Sequence, residues 1–344
     1  MSKGYIQQAD LDLMLNIRPE MWNVLYNKSI FIAGGTGFFG IWILTALKEA
    51  QTRNDQAISL TVLSRNPEAF LLKNPEFRDQ GWLQFVQGDV ETFPFPDQKF
   101  DFVIHAATEA SVKLNLEQPI KMLDNNVLGT RRMLDFAVHC QAARFLYTSS
   151  GAVYGEQPGD LTHIPEDYQG APDVLKANAA YGEGKRVGEL LCNLYARKHD
   201  FSVTIARCFA FAGPYLPIDS HFAIGNFVRD GIRQSDISIA GDGRPRRSYL
   251  YAADLVVWLL VILLYGKSGE AYNVGSDEDL SIEELANQVS GSFRPSPKVK
   301  ILGKRTSDRI PKYVPLVDKA RKELGLVVYT PLTEVINRMI SFYN

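Results

Sequence analysis

The sequence predicts an α/β fold, a doubly wound parallel sheet with a smaller C-terminal lobe of mixed α/β structure. Between residues 29 and 206, short apolar segments that suit strands alternate with longer segments of helical periodicity. Such alternation is typical of parallel strands joined by crossover helices. After Arg207 the pattern changes, because Pro and Gly residues interrupt a series of shorter segments.

The predicted elements follow in chain order. An N-terminal helical extension covers 1–27, with one helix or two at 9–26 interrupted by Pro19. The sheet domain covers 28–206, with strands at 29–33, 58–63, 83–87, 100–105, 143–148 and 203–206 and helices at 38–50, 119–141 and 181–199. The second lobe covers 207–344 and is interleaved with the sheet domain; it contains a helix at 255–265, a segment at 272–276 and a helix that begins at a capping box of Ser281 and Glu284.

The composition excludes several classes of protein. The 344 residues carry 37 Lys and Arg against 39 Asp and Glu, a formal charge of −2, so the chain lacks the basic surface of a nucleic-acid-binding protein. With 46% hydrophobic residues it is not a disordered chain. Cys140, Cys192 and Cys208 are too few and too widely spaced for a disulfide framework or a zinc site, so we expect a reducing compartment and no metal.

Neither a secretory signal nor a membrane span is expected. Asp10 and Asp12 interrupt the N-terminal region before an apolar run forms. The longest apolar run, at 255–265, has about half of the ~20 residues that a spanning helix needs, and we interpret it as a buried helix that begins after Asp254. These features predict a soluble, cytoplasmic protein with no membrane partner.

A glycine-rich turn follows the first strand. Residues 34–40 read GGTGFFG and place Gly34, Gly37 and Gly40 where the strand turns into a helix. Glycine permits the sharp turn and the close approach of a pyrophosphate, and the helix N-terminus offers free N–H groups to phosphates. The motif predicts a Rossmann-type dinucleotide-binding domain, with Thr36 and Phe38 in the same loop. A turn that uses glycine for its geometry alone is the alternative.

The end of the second strand bears on the choice of cofactor. An NAD site normally offers a carboxylate to the ribose 2′-hydroxyl at this place, whereas an NADP site offers Arg to the 2′-phosphate. Here Ser64 and Arg65 end the strand, and no carboxylate follows before Glu68. The pattern favours NADP, with NAD as the alternative if Arg65 is only a solvated surface residue.

The next two strand ends supply further candidates for cofactor binding. Asp89 and Val90 follow the third strand, where a carboxylate can accept from the adenine amino group, although a helix-capping Asp gives the same pattern. Ala106 and Ala107 follow the fourth strand and are small enough for a cofactor to lie across them. We interpret His105, which precedes them, as a structural residue.

A Tyr-x-x-x-Lys pair is the candidate catalytic feature. Tyr181 and Lys185 lie one helical turn apart on the same face. A phenol of pKa ~10 is a poor base at neutral pH, but a lysine ammonium and an oxidised nicotinamide nearby stabilise the phenolate and lower its pKa by ~2–3 units. The pair alone arises often by chance. It gains weight from Ser150, which ends the preceding strand with a hydroxyl for the same substrate oxygen.

Together these motifs resemble those of the extended short-chain dehydrogenases/reductases, in the branch that acts on nucleotide-diphosphate sugars. The resemblance covers the chain from about residue 28 onward. The motifs that carry it are GGTGFFG, HAA, NNVLGT, TSSGAVYG, the Tyr/Lys pair, RCFAFAGP, GDGRPRRSYLYAAD and YNVGS.

The resemblance implies a role for each matching residue. Ser150 orients the substrate, Tyr181 is the acid/base, and Lys185 binds the cofactor ribose and lowers the phenol pKa. The remaining implied site residues are Asn126, which helps to shape the cofactor region, Ser111 on the substrate side, Arg247, which grips the diphosphate, and Arg309 as a weaker candidate for the same work. A homodimer formed through a four-helix bundle, from the helix at 119–141 and the helix that carries Tyr181, is also implied.

Departures from the family pattern narrow the chemistry. The 4,6-dehydratases of this branch carry Asp-Glu after the hydroxyl residue, and the UDP-glucuronate decarboxylases carry a Glu there. This chain has Gly151 and Ala152, neither of which transfers a proton. Ala210 and Ala212 replace the Asn and Tyr of the R-x-x-N-x-Y-G-P segment, which puts the diphosphate and sugar contacts in doubt, and Gly184 replaces a common Ser.

What remains is hydride transfer at C4 of a sugar nucleotide. An NADP-dependent 4-keto-sugar reductase is the first interpretation, because exchanging reductases use the NADPH pool. A 4-epimerase that retains NAD uses the same residues and is the alternative. Dehydration, decarboxylation and a non-catalytic nucleotide-binding role rank below both, since Ser150, Tyr181 and Lys185 are intact while residues 151 and 152 carry no acid.

Overall fold

The computed structural model describes residues 5–54, 57–107, 112–220 and 222–344. In chain order the strands are β1 (Ser29–Ala33), β2 (Ser59–Ser64), β3 (Leu83–Gln87), β4 (Phe102–His105), β5 (Arg144–Ser150), β6 (Ser202–Cys208), β7 (Phe211–Ala212), β8 (Ile237–Ile239), β9 (Arg246–Arg247), β10 (Leu250–Tyr251), β11 (Ala271–Val274), β12 (Leu280–Ser281), β13 (Val299–Ile301) and β14 (Lys312–Tyr313). The helices are α1 (Gln8–Asn16), α2 (Pro19–Leu25), α3 (Phe38–Asn54), α4 (Pro67–Lys73), α5 (Val112–Glu117), α6 (Pro119–His139), α7 (Ala180–Lys198), α8 (Ala223–Ile232), α9 (Ala252–Tyr265), α10 (Ile282–Gly291), α11 (Asp318–Leu324) and α12 (Leu332–Tyr343).

Seven parallel strands form the main sheet, in the order β11-β6-β5-β4-β1-β2-β3. The predicted α/β class with a doubly wound parallel sheet is confirmed. The strand order reverses between β1 and β4, and in such sheets ligands bind outside the carboxyl ends of the strands at that reversal. The glycine turn after β1 and the Ala106-Ala107 segment after β4 therefore face the same crevice.

The seventh strand comes from beyond residue 206. β11 pairs in parallel with β6, with Asn273 opposite Arg207. Its sequence alone shows only a short YNVGS segment after the apolar helix. The pairing exists because β6 offers an unpaired edge on which a later part of the chain can lie.

The apolar run forms α9, which is buried along its length from Ala252 to Leu264. It packs against β5 and β6 on one side and against α1, α2 and α3 on others, so every face is apolar. The prediction that the helix begins after Asp254 is wrong. The helix begins at Ala252, so Asp254 lies within its first turn. The Asp254 carboxylate does not cap α9 but accepts hydrogen bonds from the backbone N–H groups of Tyr329 and Thr330.

The N-terminal extension forms two helices that break at Pro19, as predicted. Both pack on α9. Trp22 Nε1 donates to the Met14 carbonyl at 3.2 Å, and a buried ion pair joins Asp10 to Arg338 on α12. The extension thereby covers one side of α9.

The C-terminal part is a mixed α/β lobe of small sheets, as predicted. The larger one has the order β12-β9-β14, with β9 antiparallel to β12 and parallel to β14. This pairing places Tyr313 directly opposite Arg247. Ser281 and Glu284 form the predicted capping box of α10. Among the described residues, none of the helices is both long and apolar enough to cross a membrane.

Candidate active site

The glycine turn after β1 has the geometry of a phosphate-binding loop. Gly34 adopts a φ of 89°, and a Cβ there would lie 2.4 Å from the Ala106 backbone. A Cβ on Gly40 would lie 2.2 Å from the backbone of Gly35, so neither position accepts a side chain. Gly37 is exposed at the start of α3 and has only an ordinary contact. The residues present therefore fit a dinucleotide, with Thr36 and Phe38 in the same loop.

The end of β2 leaves Arg65 exposed and without an ion pair in the described ranges. Ser64 is buried, and its Oγ accepts from the N–H of Asn66 at 3.3 Å. Glu68, the first carboxylate after the strand, pairs instead with Arg78 at 3.1 Å. The arrangement keeps a guanidinium, and no carboxylate, at the strand end itself.

Asp89 lies exposed after β3 and caps the turn that follows it. Its Oδ1 accepts from the N–H of Glu91 at 3.0 Å, which leaves its second oxygen for a ligand. Val90 lies beneath Gly129, where a Cβ would approach it to 2.9 Å. Both explanations of Asp89 from the sequence, a cap and a ligand contact, remain compatible with this geometry.

At the end of β4, Ala106 and Ala107 lie against Gly34, as the sequence predicts for small residues beneath a cofactor. His105 is buried, and its Nε2 lies 3.1 Å from Thr130 Oγ1. Burial lowers the pKa of His105 to about 3, with a smaller contribution from Lys185, so the imidazole is neutral and structural. The predicted substrate residue Ser111 lies outside the described residues.

Ser150, Tyr181 and Lys185 come together where β5 meets α7. Ser150 ends β5, and its Oγ accepts from the N–H of Ala152 at 3.1 Å. Lys185 is buried, and its Nζ donates to the Thr148 carbonyl at 2.6 Å. The Tyr181 phenol faces Ser150, and the serine hydroxyl, as a hydrogen-bonding neighbour, lowers the pKa of the phenol. The strand and the helix therefore hold three functional groups at one point of the crevice.

Burial shifts the ionisation of the two α7 groups, while the lowered phenol pKa expected beside an oxidised nicotinamide stays a prediction. Burial raises the pKa of Tyr181 to about 12, although the hydrogen bond from Ser150 opposes the increase. Burial also lowers the pKa of Lys185 to about 7. Burial disfavours the charged form of each group, which raises the pKa of an acid and lowers the pKa of a base. At neutral pH the phenol therefore holds its proton.

Asn126 lies on α6 beside the catalytic helix. Its Nδ2 donates to the Met122 carbonyl at 2.8 Å, while its Oδ1 is buried with no partner in the described chain. A Cβ on Gly184 would approach the Asn126 Cβ to 2.7 Å, so the glycine at 184 lets the two helices come close. Glycine in place of the Ser that is common at this position therefore allows α6 and α7 to pack closely.

The two arginines proposed for the diphosphate differ in their surroundings. Arg247 is half-buried on β9, donates to the Arg246 carbonyl at 2.9 Å, and forms no ion pair among the residues that are described. Burial lowers its pKa, as expected for a cation without a carboxylate beside it. Arg309 is exposed and already pairs with Glu156 at 2.8 Å. Arg247 is therefore the better placed of the two.

A buried network that no sequence motif predicts lies behind the site. Glu189 lies one turn after Lys185 and accepts from Arg207 at 2.8 and 3.0 Å and from Ser149 Oγ at 2.6 Å. Arg207 also donates to the Tyr154 hydroxyl at 2.8 Å. The Glu189 carboxylate therefore neutralises the Arg207 guanidinium. In the sequence, only the position of Glu189 one helical turn after Lys185 points to this network.

A second missed residue is Tyr313, whose hydroxyl lies 3.5 Å from Ser150 Oγ. It comes from β14, more than a hundred residues after the catalytic motifs. No spacing rule connects it to them. No group of three or more His, Cys, Asp or Glu residues that could hold a metal occurs in the described parts of the chain.

Comparisons with known proteins identify the family of the chain. The model of the NAD dependent epimerase/dehydratase family matches residues 30–275. UDP-glucuronic acid decarboxylase 3 of Arabidopsis thaliana is 31% identical over 302 residues, which are 87% of this chain and 84% of that protein. Its name describes that protein and not this one.

Two solved structures have a similar fold. UDP-glucose 4-epimerase from Thermotoga maritima has a TM-score of 0.76 at 20% identity, and the match covers 92% of this chain and 98% of that one. The dTDP-glucose 4,6-dehydratase DesIV from Streptomyces venezuelae, with NAD bound, has a TM-score of 0.75 at 24% identity and coverages of 92% and 96%. With the family model and the plant relative, they lead to one conclusion: the chain belongs to the NAD-dependent epimerase/dehydratase family.

Proposed function

We propose that the protein is an NADP-dependent oxidoreductase that reduces a 4-keto group of a nucleotide-diphosphate sugar. One observation carries the proposal: Ser150, Tyr181 and Lys185 converge at the crevice, while residues 151 and 152 beside them carry no acid or base. A proton donor and a substrate-orienting hydroxyl suffice for ketone reduction. Dehydration needs a further acid/base pair that these positions lack.

Three side chains of the protein have separate roles in that reaction. The Tyr181 phenol, whose raised pKa keeps it protonated, gives its proton to O4 as C4 is reduced. The Ser150 hydroxyl donates to the same oxygen, and the family resemblance gives Lys185 the role of binding the cofactor ribose. NADPH, when bound, supplies the hydride. Solvent returns the proton to Tyr181, so the enzyme ends the cycle as it began.

Two other activities use the same residues. A 4-epimerase that retains NAD oxidises C4 and reduces it again from the other face of the sugar. Decarboxylation of UDP-glucuronate is favoured by the 31% identity to a protein of that name, while Ala152 in place of a Glu argues against it.

A product screen tests the proposal. The purified protein is incubated with NADPH and 4-keto derivatives of UDP, dTDP, GDP and CDP sugars, and separately with UDP-glucose and UDP-glucuronate. We expect NADPH oxidation with a 4-keto sugar. Interconversion of UDP-glucose and UDP-galactose without net change in cofactor, or release of CO₂ from UDP-glucuronate, contradicts the reductase assignment and identifies the alternative. Absence of any turnover or isotope exchange points to a binding protein.

Arg65 carries the proposed preference for NADP. Exchange of Arg65 for Asp is expected to weaken NADP binding by about tenfold, because a charge-assisted contact to the 2′-phosphate is lost from an exposed site. NAD binding is expected to improve. Titration of both cofactors into wild type, Arg65→Asp and Arg78→Asp measures the change, with Arg78 as a nearby exposed control. An unchanged NADP/NAD ratio in Arg65→Asp rejects the assignment.

A homodimer is the proposed assembly. The adjacent helices α6 and α7 leave large apolar side chains at the surface, and these are Ile120, Leu123, Leu128, Leu190 and Leu194. Water penalises such surface at about 25 cal/mol per Å², so a second copy that covers it stabilises the protein.

Sedimentation at micromolar concentration tests the assembly. We expect twice the monomer mass of 38.6 kDa for wild type and the monomer mass for a Leu190→Lys, Leu194→Lys variant. A Leu72→Lys variant, which changes an exposed leucine on α4, serves as the control and remains dimeric. A monomeric wild type contradicts the proposal.

A further inference from the structure

Tyr313 is held firmly beside the proposed site. It lies on β14, where strand pairing places it opposite Arg247 on β9. Its ring lies 4.7 Å from the Phe209 ring, and the Arg247 guanidinium lies 5.6 Å from the ring centre. The strand backbone and these two neighbours therefore restrict where the hydroxyl points.

The Tyr313 hydroxyl reaches the catalytic serine. It lies 3.5 Å from Ser150 Oγ and 3.5 Å from the Cys208 carbonyl, both longer than the usual 2.5 to 3.0 Å between hydroxyl and acceptor oxygens. On its other side Ser150 is close enough to Tyr181 to influence the pKa of that phenol. The serine hydroxyl thus lies between two phenols, one on the catalytic helix and one on the small C-terminal sheet.

The absence of a side chain at residue 151 makes this contact possible. A Cβ on Gly151 would lie 2.8 Å from the Tyr313 hydroxyl and 2.8 Å from two atoms of the Phe209 ring. Any larger residue there displaces one of the two rings. The space beside Ser150 is therefore filled by Tyr313 and Phe209, which come from distant parts of the chain.

Resting on the proposed function, we propose that Tyr313 is a positioning residue: its hydroxyl orients that of Ser150 toward Tyr181, and its ring supports Arg247. A serine hydroxyl has one proton to donate and two lone pairs. The N–H of Ala152 occupies one lone pair. When Tyr181 is ionised it only accepts, so the serine proton goes to Tyr181 and Tyr313 donates to the second lone pair. While Tyr181 is neutral, the Cys208 carbonyl is the other acceptor for Tyr313.

The surroundings of Tyr181 allow this effect to be measured. The ionisable groups that face it are Cys208 on β6, Tyr147 on β5, Tyr313 on β14 and, on its own helix, Lys185. Burial raises the pKa of the thiol and of both other phenols, so all three stay neutral in the pH range in which a fluorinated tyrosine at residue 181 ionises. Lys185 is the same in all of the variants below. A difference in the ionisation midpoint of residue 181 between them therefore reflects the loss of a hydrogen bond.

The test places 3,5-difluorotyrosine, whose phenol ionises near neutral pH, at residue 181 and follows its ionisation by ¹⁹F NMR. Tyr313→Phe keeps the ring and removes only the hydroxyl. We expect it to raise the ionisation midpoint by about 0.5 to 1 pH unit, the effect of one hydrogen bond. Ser150→Ala raises it at least as much. Tyr168→Phe, a tyrosine of the same aromatic cluster, is the control and leaves it unchanged.

A double variant separates positioning from a merely structural role. If Tyr313 acts through Ser150, then Ser150→Ala combined with Tyr313→Phe titrates like Ser150→Ala alone. An additive rise in the double variant overturns the proposal, and so does an unchanged midpoint in Tyr313→Phe. The titration needs neither substrate nor cofactor, so its outcome is independent of whether any sugar nucleotide is turned over.

Turnover gives a second readout where a substrate is found. Tyr313→Phe is expected to lower kcat about two- to tenfold with little change in KM, because the ring that supports Arg247 remains. Tyr313→Leu is expected to raise KM as well, since it removes that ring. Equal losses in both parameters for both variants contradict the division between hydroxyl and ring.

Discussion

Replacement of Tyr181 by Phe is expected to lower turnover by about 10²- to 10⁴-fold, the usual contribution of a general acid or base. The ring stays in place, while the proton for O4 is lost. Ser150 and Lys185 do not replace it, because Ser150 holds its proton tightly and Lys185 is bonded to the Thr148 carbonyl. Cofactor affinity is expected to change little, since the glycine loop after β1 is untouched.

The matched control lies on the same helix. Tyr195 is a surface residue of α7 whose hydroxyl bonds to Asp135, so Tyr195→Phe removes an equivalent group far from Ser150. Both variants are assayed for kcat and for cofactor binding by titration. Retention of more than a tenth of the wild-type kcat in Tyr181→Phe removes Tyr181 from the mechanism.

Replacement of Arg247 by Met is expected to weaken the binding of a nucleoside diphosphate by about 10- to 150-fold, because one charge-assisted hydrogen bond from a half-buried guanidinium is lost. Methionine keeps an apolar contact with the Tyr313 ring, so the fold is expected to survive. The measurement is calorimetric titration with UDP and dTDP, which does not depend on turnover.

Arg309 provides the comparison, because it is the other candidate for the diphosphate. It already pairs with Glu156 and is exposed, so Arg309→Met is expected to change affinity by about threefold or less. Arg305→Met, at an exposed pair with Asp308, is the neutral control. Equal losses at Arg247 and Arg309 would show that both grip the diphosphate.

Local features of the sequence were sufficient to predict much of the fold and part of the candidate site. The alternation of apolar strands and helical segments predicted the parallel sheet, since period and burial are encoded within a few neighbouring residues. The glycines at 34 and 40 were recognisable because only the absence of a Cβ permits their contacts. Tyr181 and Lys185 lie one turn apart on a helix, so their common face followed from spacing alone.

The tertiary structure decided whatever depends on distant parts of the chain. β11 joins the sheet because β6 leaves an edge, and Tyr313 meets Ser150 because β14 pairs with β9. The raised pKa of Tyr181 likewise comes from burial by several elements at once. Periodicity and spacing record only near neighbours, whereas edge pairing, steric fit at Gly151 and desolvation are properties of the assembled interior, and only the assembled interior determines them.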